Sequence, residues 1–382
     1  MTTPHDSHLA PPGMTDAVSA LLGGPAAVTQ WTAAPCGHVA GDHDGPPPVQ
    51  LITGEAALSD GTRSFSLVVK SIPAAQTTDV TAPAWAPREA CAYASGLLAQ
   101  LSPGLRAPRC YGVAAAPAGG DLLWLEYVQD DGVTTWPAAR YAQAASAVGR
   151  FSGGSLQARH PAWHAYPWLS RSPLPGALRE FAPLVATLSG ARDDAAVAAA
   201  FSDAHATCLI DLLSEIPTWC STLDTLPQTL CHWDVHRANL VVTPTVDGGH
   251  GMVLLDWAGV GWGPVGADLS HLLSQTVHFF GMDPGELQAL DATLFDAYLD
   301  GARAAGWHGD PRHVRFAYAA ASAVRLIVRA GTALRVASHP ASREAFARAA
   351  HRPFPELAAR FARVLPHYLA VADEARALAR TL

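Results

Sequence analysis

The stretch that most constrains this chain is His232-Trp233-Asp234-Val235-His236-Arg237-Ala238-Asn239, followed by an apolar run ending in Leu254-Leu255-Asp256-Trp257. Asn239 opens a short β-prone run, Leu240 to Thr243. Asp247-Gly248-Gly249 supplies a turn, because Gly tolerates positive φ and Asp bonds its own backbone. Met252 to Leu255 then reads as the return strand. This hairpin brings Asn239 and Asp256 to one open end, with Asp234 on the loop just before it. Three oxygen-bearing side chains with little Lys or Arg between them suit a hard cation such as Mg²⁺ better than a softer metal.

Phosphoryl transfer uses such a set: a metal to bridge phosphates and a carboxylate to orient the acceptor hydroxyl. An Asp and an Asn five positions apart, then an Asp beyond a hairpin, match the kinase catalytic and metal-binding loops. The pattern His-x-Asp-x-His-x-x-Asn resembles the aminoglycoside phosphotransferase and choline kinase families more than the protein kinases. Those families carry His-Gly-Asp-Leu-His-Pro-x-Asn and then Ile-Asp-Trp or Ile-Asp-Phe. The resemblance implies a catalytic base at Asp234 and metal ligands at Asn239 and Asp256. It also implies an α+β, bilobal, protein-kinase-like fold, with a small antiparallel-sheet N-lobe and a larger, mainly helical C-lobe. Trp233 stands where the families have Gly, and Arg237 where they have Pro. Neither change removes a chemical group, but Trp233 is placed to crowd an acceptor.

Residues 1–13 are polar and Pro-rich and are expected to form a disordered tail; the nucleotide-binding lobe is expected over 14–130. Thr15 to Leu22 reads as a helix stopped by Gly23-Gly24-Pro25, and Ala27 to Thr32 as a first strand. Pro35 to Pro48 occupies the place of a phosphate-covering loop but has no Gly-x-Gly-x-x-Gly. Val49 to Ala57 and Phe65 to Ile72 are β-rich, with Asp60-Gly61 as a hairpin signal. Lys70 ends an apolar strand, where a Lys is ordinarily an edge or snorkelling residue. Arg88 opens a helix predicted to run to about Leu101, with Glu89 in its first turn, where a Glu also suits the helix dipole. In the kinase fold a Glu on this helix fixes the strand Lys that holds the α and β phosphates, and Lys70 and Glu89 are ordered and spaced for that; Glu55 is a rival. Arg109 to Ala115 and Asp121 to Val128 give two more strands. The second resembles the hinge strand of the family, which implies that backbone groups near Glu126 and Val128 read the adenine of ATP.

From Trp136 the periodicity turns helical. Pro137 to Phe151 is predicted to stop at Gly153-Gly154. A loop over His160 to Pro175 holds Trp163, Tyr166 and Trp168, and helices follow over Gly176–Leu188 and Asp193–Ile216. After Asp256 a Gly-rich loop runs to Ala267. Asp268 then caps a helix Leu269 to Phe280 and, by resemblance, braces the catalytic loop. This loop is too short for a protein-kinase activation segment and lacks Ala-Pro-Glu, which favours a small-molecule acceptor. Further helices are predicted from Gly285 to Ala302, from Pro311 to Val336 and from Ser342 onward, all within a C-terminal lobe spanning 131–382.

At 382 residues with 49% hydrophobic and 15% charged side chains, the chain can bury a large core. A net charge of −8 excludes a general nucleic-acid binder. Six scattered cysteines with no Cys-x-x-Cys argue against a disulfide framework and fit a reducing cytoplasm. No apolar run reaches the length of a membrane span. The partner is therefore expected to be a small hydroxyl compound: an aminoglycoside or other antibiotic, a choline-like amine, or a sugar or amino alcohol. A role in antibiotic resistance and a monomeric or homodimeric state are both compatible with this. Asp283, Glu286, Asp291, Asp296 and Asp300 would suit an amine, and Trp163, Tyr166, Trp168 and Trp262 an aromatic wall; solvated helix faces and core packing account for both groups as well. Two other readings are a metal-dependent hydrolase using His232, Asp234 and His236, and a nucleotide-binding pseudokinase.

Overall fold

A computed structural model describes residues 10–36, 48–101, 105–133, 135–158, 166–171, 173–244, 250–278 and 282–382. The tail before residue 10, the Gly37–Pro47 part of the expected phosphate loop, the Asp247-Gly248-Gly249 turn, Trp163 and the expected helix end at Phe280 lie outside the described residues. The chain divides into two compact units. One holds residues up to Leu101, Arg106–Asp131 and Val241–Ala258; the other holds Ser102–Leu105, Gly132–Leu240 and Gly259–Leu382. The Val241–Ala258 hairpin, expected in the helical lobe, clusters with the N-terminal unit instead.

The first unit is built on a five-stranded antiparallel sheet in the order Ala27–Pro35, Val49–Leu58, Gly61–Ile72, Asp121–Glu126, Cys110–Ala115. Alternation along Gly61–Ile72 assigns its two faces. Phe65, Leu67 and Val69 pack with Met14, Ala17 and Val18 of the helix Met14–Leu22. Val68 and Ile72 pack instead with Ala90 and Tyr93 of the helix Arg88–Ala94. Lys70 has the parity of Val68 and Ile72, so strand periodicity alone sends it to the face where Glu89 lies. This helix is shorter than its sequence suggested. It ends at Ala94, because Gly96 turns left-handed at φ +73° and only a 3₁₀ turn, Leu97–Gln100, follows. The outermost strand runs on to Pro35, and the strand expected to reach Val128 ends at Glu126.

The second unit is mainly helical. Its helices span Ala138–Ala158, Pro173–Ala186, Leu188–Ala191, Ala195–Ala200, Asp203–Thr225, Leu269–His278, Leu287–Ala304, Pro311–Ala337, Pro340–Ala350 and Phe354–Ala379. Gly153-Gly154 does not end the first of these. A Cβ on Gly149 would sit 2.1 Å from the Tyr298 carbonyl oxygen, and one on Gly153 2.7 Å from that of Ala302, so the glycines let the helix Leu287–Ala304 lie directly against it. The predicted helix Asp193–Ile216 is two helices, because Asp194 and Ser202 each cap a fresh N-terminus with a side-chain oxygen. The Gly-rich segment after Asp256 is not all loop: Gly261–Pro264 is a strand, antiparallel to Gln228–Cys231 and parallel to Ser170–Arg171. This small sheet delivers the chain at Cys231 into the His232–Asn239 loop. Among the described residues, no helix is long and apolar enough to cross a membrane.

Candidate active site

The predicted site residues form two constellations, one in each unit. In the first unit Lys70 sits between two carboxylates. Its Nζ is 2.5 Å from Glu89 Oε2 and 2.8 Å from Asp256 Oδ1. Burial alone would lower the Lys70 pKa, but Glu89 and Asp256 outweigh it and hold the ammonium above the ordinary lysine range. Glu89 is fully buried; burial pushes its carboxyl up, against the pull of Lys70. Its other oxygen accepts the Trp257 amide at 3.1 Å, fixing the chain immediately after Asp256. The rival Glu55 is bound instead to Gln30 on the outer strand.

Asp256 lies in the left-handed region at φ +60°, where Asp is tolerated better than most side chains. Two anchors hold the segment there. The Trp257 indole donates to the Leu254 carbonyl at 2.7 Å, and the buried Arg88 guanidinium binds the Ala258 carbonyl at 3.2 Å. Arg88 also binds the carbonyls of Val80, Ala82 and Pro83. This anchoring role was missed in the sequence, where Arg88 read only as a helix opener. Glu126 accepts both terminal nitrogens of Arg106, at 2.6 and 2.9 Å, and the Arg109 amide. Its own amide donates to the Arg109 carbonyl. The side chain at 126 is thus spent on its neighbours, and Val128 lies half-buried just beyond the strand.

In the second unit, Asp234 and Asn239 are brought together. Asn239 Nδ2 donates to Asp234 Oδ2 and to the Asp234 carbonyl, both at 3.0 Å. His271 Nε2 lies 3.0 Å from Asp234 Oδ1, and His236 Nε2 lies 3.5 Å from Oδ2. Burial would raise the Asp234 carboxyl, but His236, His271 and His232 hold it far below the usual carboxylate range. The buried Asp268 braces the loop: its two oxygens accept the His232 and Trp233 amides at 2.8 and 2.7 Å. Arg325 adds a second clamp, donating to the Trp233 carbonyl at 3.0 Å and to Ser270 at 2.9 Å.

Both clamps meet at Trp233, which adopts φ +69° and is buried. This is the position where the related families carry Gly, so a bulky residue occupies backbone made for glycine. Space for its indole comes from Gly263, whose Cβ would stand 2.2 Å from Trp233 Cζ2. The indole packs into the core of its unit rather than projecting as an obstacle to an acceptor.

His232 is fully buried and its Nδ1 accepts the Asp234 amide, a structural duty. The hydrolase ligand set His232, Asp234 and His236 is therefore corrected. Among the described residues the cluster able to hold a metal is Asp234, His236 and His271. His271 was missed because it lies 37 positions beyond Asp234, and only the helix after Asp268 brings it back.

Two of the downstream acidic residues are committed. Asp291 is buried against Arg315 at 2.7 Å and His367 at 3.1 Å; Asp283 caps Gly285 and pairs with Arg363. Trp168 and Trp262 are core residues, with Trp168 stacked on Tyr166 at 5.1 Å. Two members of the expected aromatic wall are thus core packing.

No curated protein matches the chain by sequence. An aminoglycoside phosphotransferase from Alicyclobacillus acidocaldarius is similar over 99% of this chain and 98% of its own, at 15% identity and a TM-score of 0.53. An amicoumacin kinase aligns at 12% identity over 79% of this chain and 84% of its own, TM-score 0.46. A choline kinase from Streptococcus pneumoniae aligns at 12% over 83% and 90%, TM-score 0.39. The first likeness carries the α+β, kinase-like fold expected from the sequence. Residues 57–316, more than half of the chain and spanning Lys70 through Asp256, match the phosphotransferase enzyme family, and the chain belongs to that family.

Proposed function

We propose that this small-molecule phosphotransferase moves the γ-phosphoryl group of ATP to a hydroxyl of its acceptor. The observation that carries the reading is the Asp234 carboxylate, kept ionised and ringed by Asn239, His236 and His271. Asp234 orients the acceptor hydroxyl. So weak a base takes the proton late, as the new P–O bond forms and the β,γ-bridging oxygen leaves with ADP. Lys70, held by Glu89, positions the α and β phosphates. The carbonyl of Glu126 and the amide of Val128 meet the adenine edge. Asn239 and Asp256 offer an amide and a carboxylate oxygen, donors that fit Mg²⁺. When bound, that ion neutralises charge on the phosphate oxygens. Positioning and charge neutralisation supply most of the barrier reduction.

Full complements of Lys, Glu, Asp and Asn speak against a pseudokinase. The acceptor is a hydroxyl compound of the antibiotic, choline-like, sugar or amino-alcohol class. The pairing of Asp291 and Asp283 with arginines removes two of the carboxylates that would have favoured an amine-bearing acceptor. The test is ADP release across a panel of such compounds, with Asp234→Ala beside the wild type. Loss of transfer with unchanged ATP affinity in calorimetry is expected; full turnover by the variant would overturn the assignment.

A further inference from the structure

The geometry points to a second divalent-cation site in the helical unit, built by Asp234, His236 and His271 and suited to a borderline metal such as Zn²⁺. The three residues come from two elements, the loop after Cys231 and the helix Leu269–His278. One ligand atom from each lies within 4.8 Å of the other two. His271 Nε2 stands 3.0 Å from one Asp234 oxygen and His236 Nε2 3.5 Å from the other, near the roughly 3.4 Å that metal bonds of about 2.0–2.1 Å give at tetrahedral angles. The His236 and His271 rings face each other at 5.5 Å, tilted by 31°.

His271 is the independent indicator. It is 8% exposed, yet neither ring nitrogen makes a hydrogen bond. A buried imidazole normally finds a partner for at least one nitrogen. Here Nε2 is 3.0 Å from a carboxylate oxygen without the alignment of a hydrogen bond, the relation of two ligands that share a third atom.

The donor set decides the metal. Two imidazoles and one carboxylate favour Zn²⁺ and its first-row neighbours over Mg²⁺. The Asp234 side chain is 39% exposed, which leaves an open position for water. Binding has one local cost: His236 Nδ1 accepts the Ala238 amide at 3.2 Å, so coordination through Nε2 sends the ring proton to Nδ1 and gives up that weak bond. A metal held here would occupy the carboxylate assigned to the acceptor hydroxyl and inhibit transfer. That consequence rests on the proposed role of Asp234; the binding itself does not.

The test therefore uses neither nucleotide nor acceptor. Metal-free protein is dialysed against Zn²⁺ in excess Mg²⁺, and Co²⁺ is titrated separately for the visible absorption of a low-coordinate site. One Zn²⁺ retained per chain is expected, with a rise in Tm. His271→Gln and the more exposed His236→Gln should each weaken binding by at least about 10-fold, the loss that even outer-shell changes produce. Equal retention by both variants would mean that the ion sits elsewhere, on cysteine for example. Displacement by Mg²⁺ would mean that the cluster does not select a softer metal. Either result overturns the site, and neither touches the kinase reading. Should His271→Gln fold poorly, His236→Gln alone decides, with the melting point of the metal-free variant as the control.

Discussion

The two constellations hold their key carboxylates by different means. In the sheet unit, Asp256 is fixed by side chains: Lys70 joins it to Glu89, and Arg88 ties down the backbone that follows. In the helical unit, Asp234 rides on a loop whose backbone amides are gripped by Asp268 and whose carbonyl is gripped by Arg325. Each constellation includes a non-glycine residue in left-handed backbone, Asp256 at +60° and Trp233 at +69°. Such residues cost about 1–3 kcal/mol and persist where surroundings over-determine them. For Asp256 the side chain itself suits the conformation. For Trp233 it does not, and a charged brace, an arginine clamp and a glycine across the sheet compensate. The same backbone device can thus rest on residue choice in one place and on imposed neighbours in another.

The largest effect should come from removing the brace. Asp268→Ala leaves two amides buried without acceptors and removes one of the two carboxylates, with Asp234, that face Arg325. The expected loss is about 3–5 kcal/mol, read as a shifted urea midpoint at constant m. Transfer activity should fall further than stability alone explains, because Trp233 loses what holds it left-handed. A variant destabilised by less than 1 kcal/mol would show that Arg325 suffices and erase the contrast between the regions.

Next in size is the lysine bridge. Lys70→Met strands Glu89 in the core and should cost about 2–3 kcal/mol, with ATP affinity lost as well. Lys70→Met/Glu89→Gln should recover much of the stability and none of the affinity. Recovery of both would remove Lys70 from phosphate binding.

Trp233 and Gly263 form a smaller, sharper test. Gly263→Ala places a methyl where the indole lies and should cost about 1–3 kcal/mol by overpacking. Trp233→Gly gives up buried area but relieves the strained φ. In the Trp233→Gly background Gly263→Ala meets the Cys231 sulfur, at 3.0 Å, and should cost much less, so the double-mutant cycle reports a coupling above roughly 1 kcal/mol. Additive losses would mean that the indole relocates and Gly263 serves another purpose.

Much of this arrangement was legible in the sequence. The hairpin strands, the Lys70 strand, the helix carrying Glu89 and the Asp268 helix follow from periodicity, turn residues and a close motif. What escaped has one common cause: glycine and charge act at a distance. Gly153-Gly154 reads locally as a helix stop, yet Gly153 serves backbone contact with the helix Leu287–Ala304. Gly261 and Gly263 read as loop and are strand, because Trp233 and Ser170 demand the space. Arg88, Arg325 and His271 sit in ordinary helical patterns, and only the packing of the units turns them toward the motifs. The carboxylates at 283 and 291 looked available for a ligand, and their arginine partners lie 80 and 24 positions away.

The smallest effects are those of pH, and here the two regions oppose each other in sign. Glu89 has its carboxyl pushed above the ordinary 4.5 by burial. Folding therefore takes up a proton in the window above 4.5, and this group lowers stability as pH rises through that window. Asp234 is held below its ordinary 3.8; its contribution is present above 3.8 and is lost as pH falls beneath it. Melting curves from pH 7 to pH 2 separate the two. Glu89→Gln should lose more Tm than the wild type between pH 7 and 4.5, because it lacks the compensating uptake. Asp234→Asn should match the wild type there and lose less below pH 3.8. Parallel curves for both variants would show that neither carboxylate is coupled to folding through its partners, and the lysine bridge and the histidine ring would then be surface-like contacts rather than the clamps described.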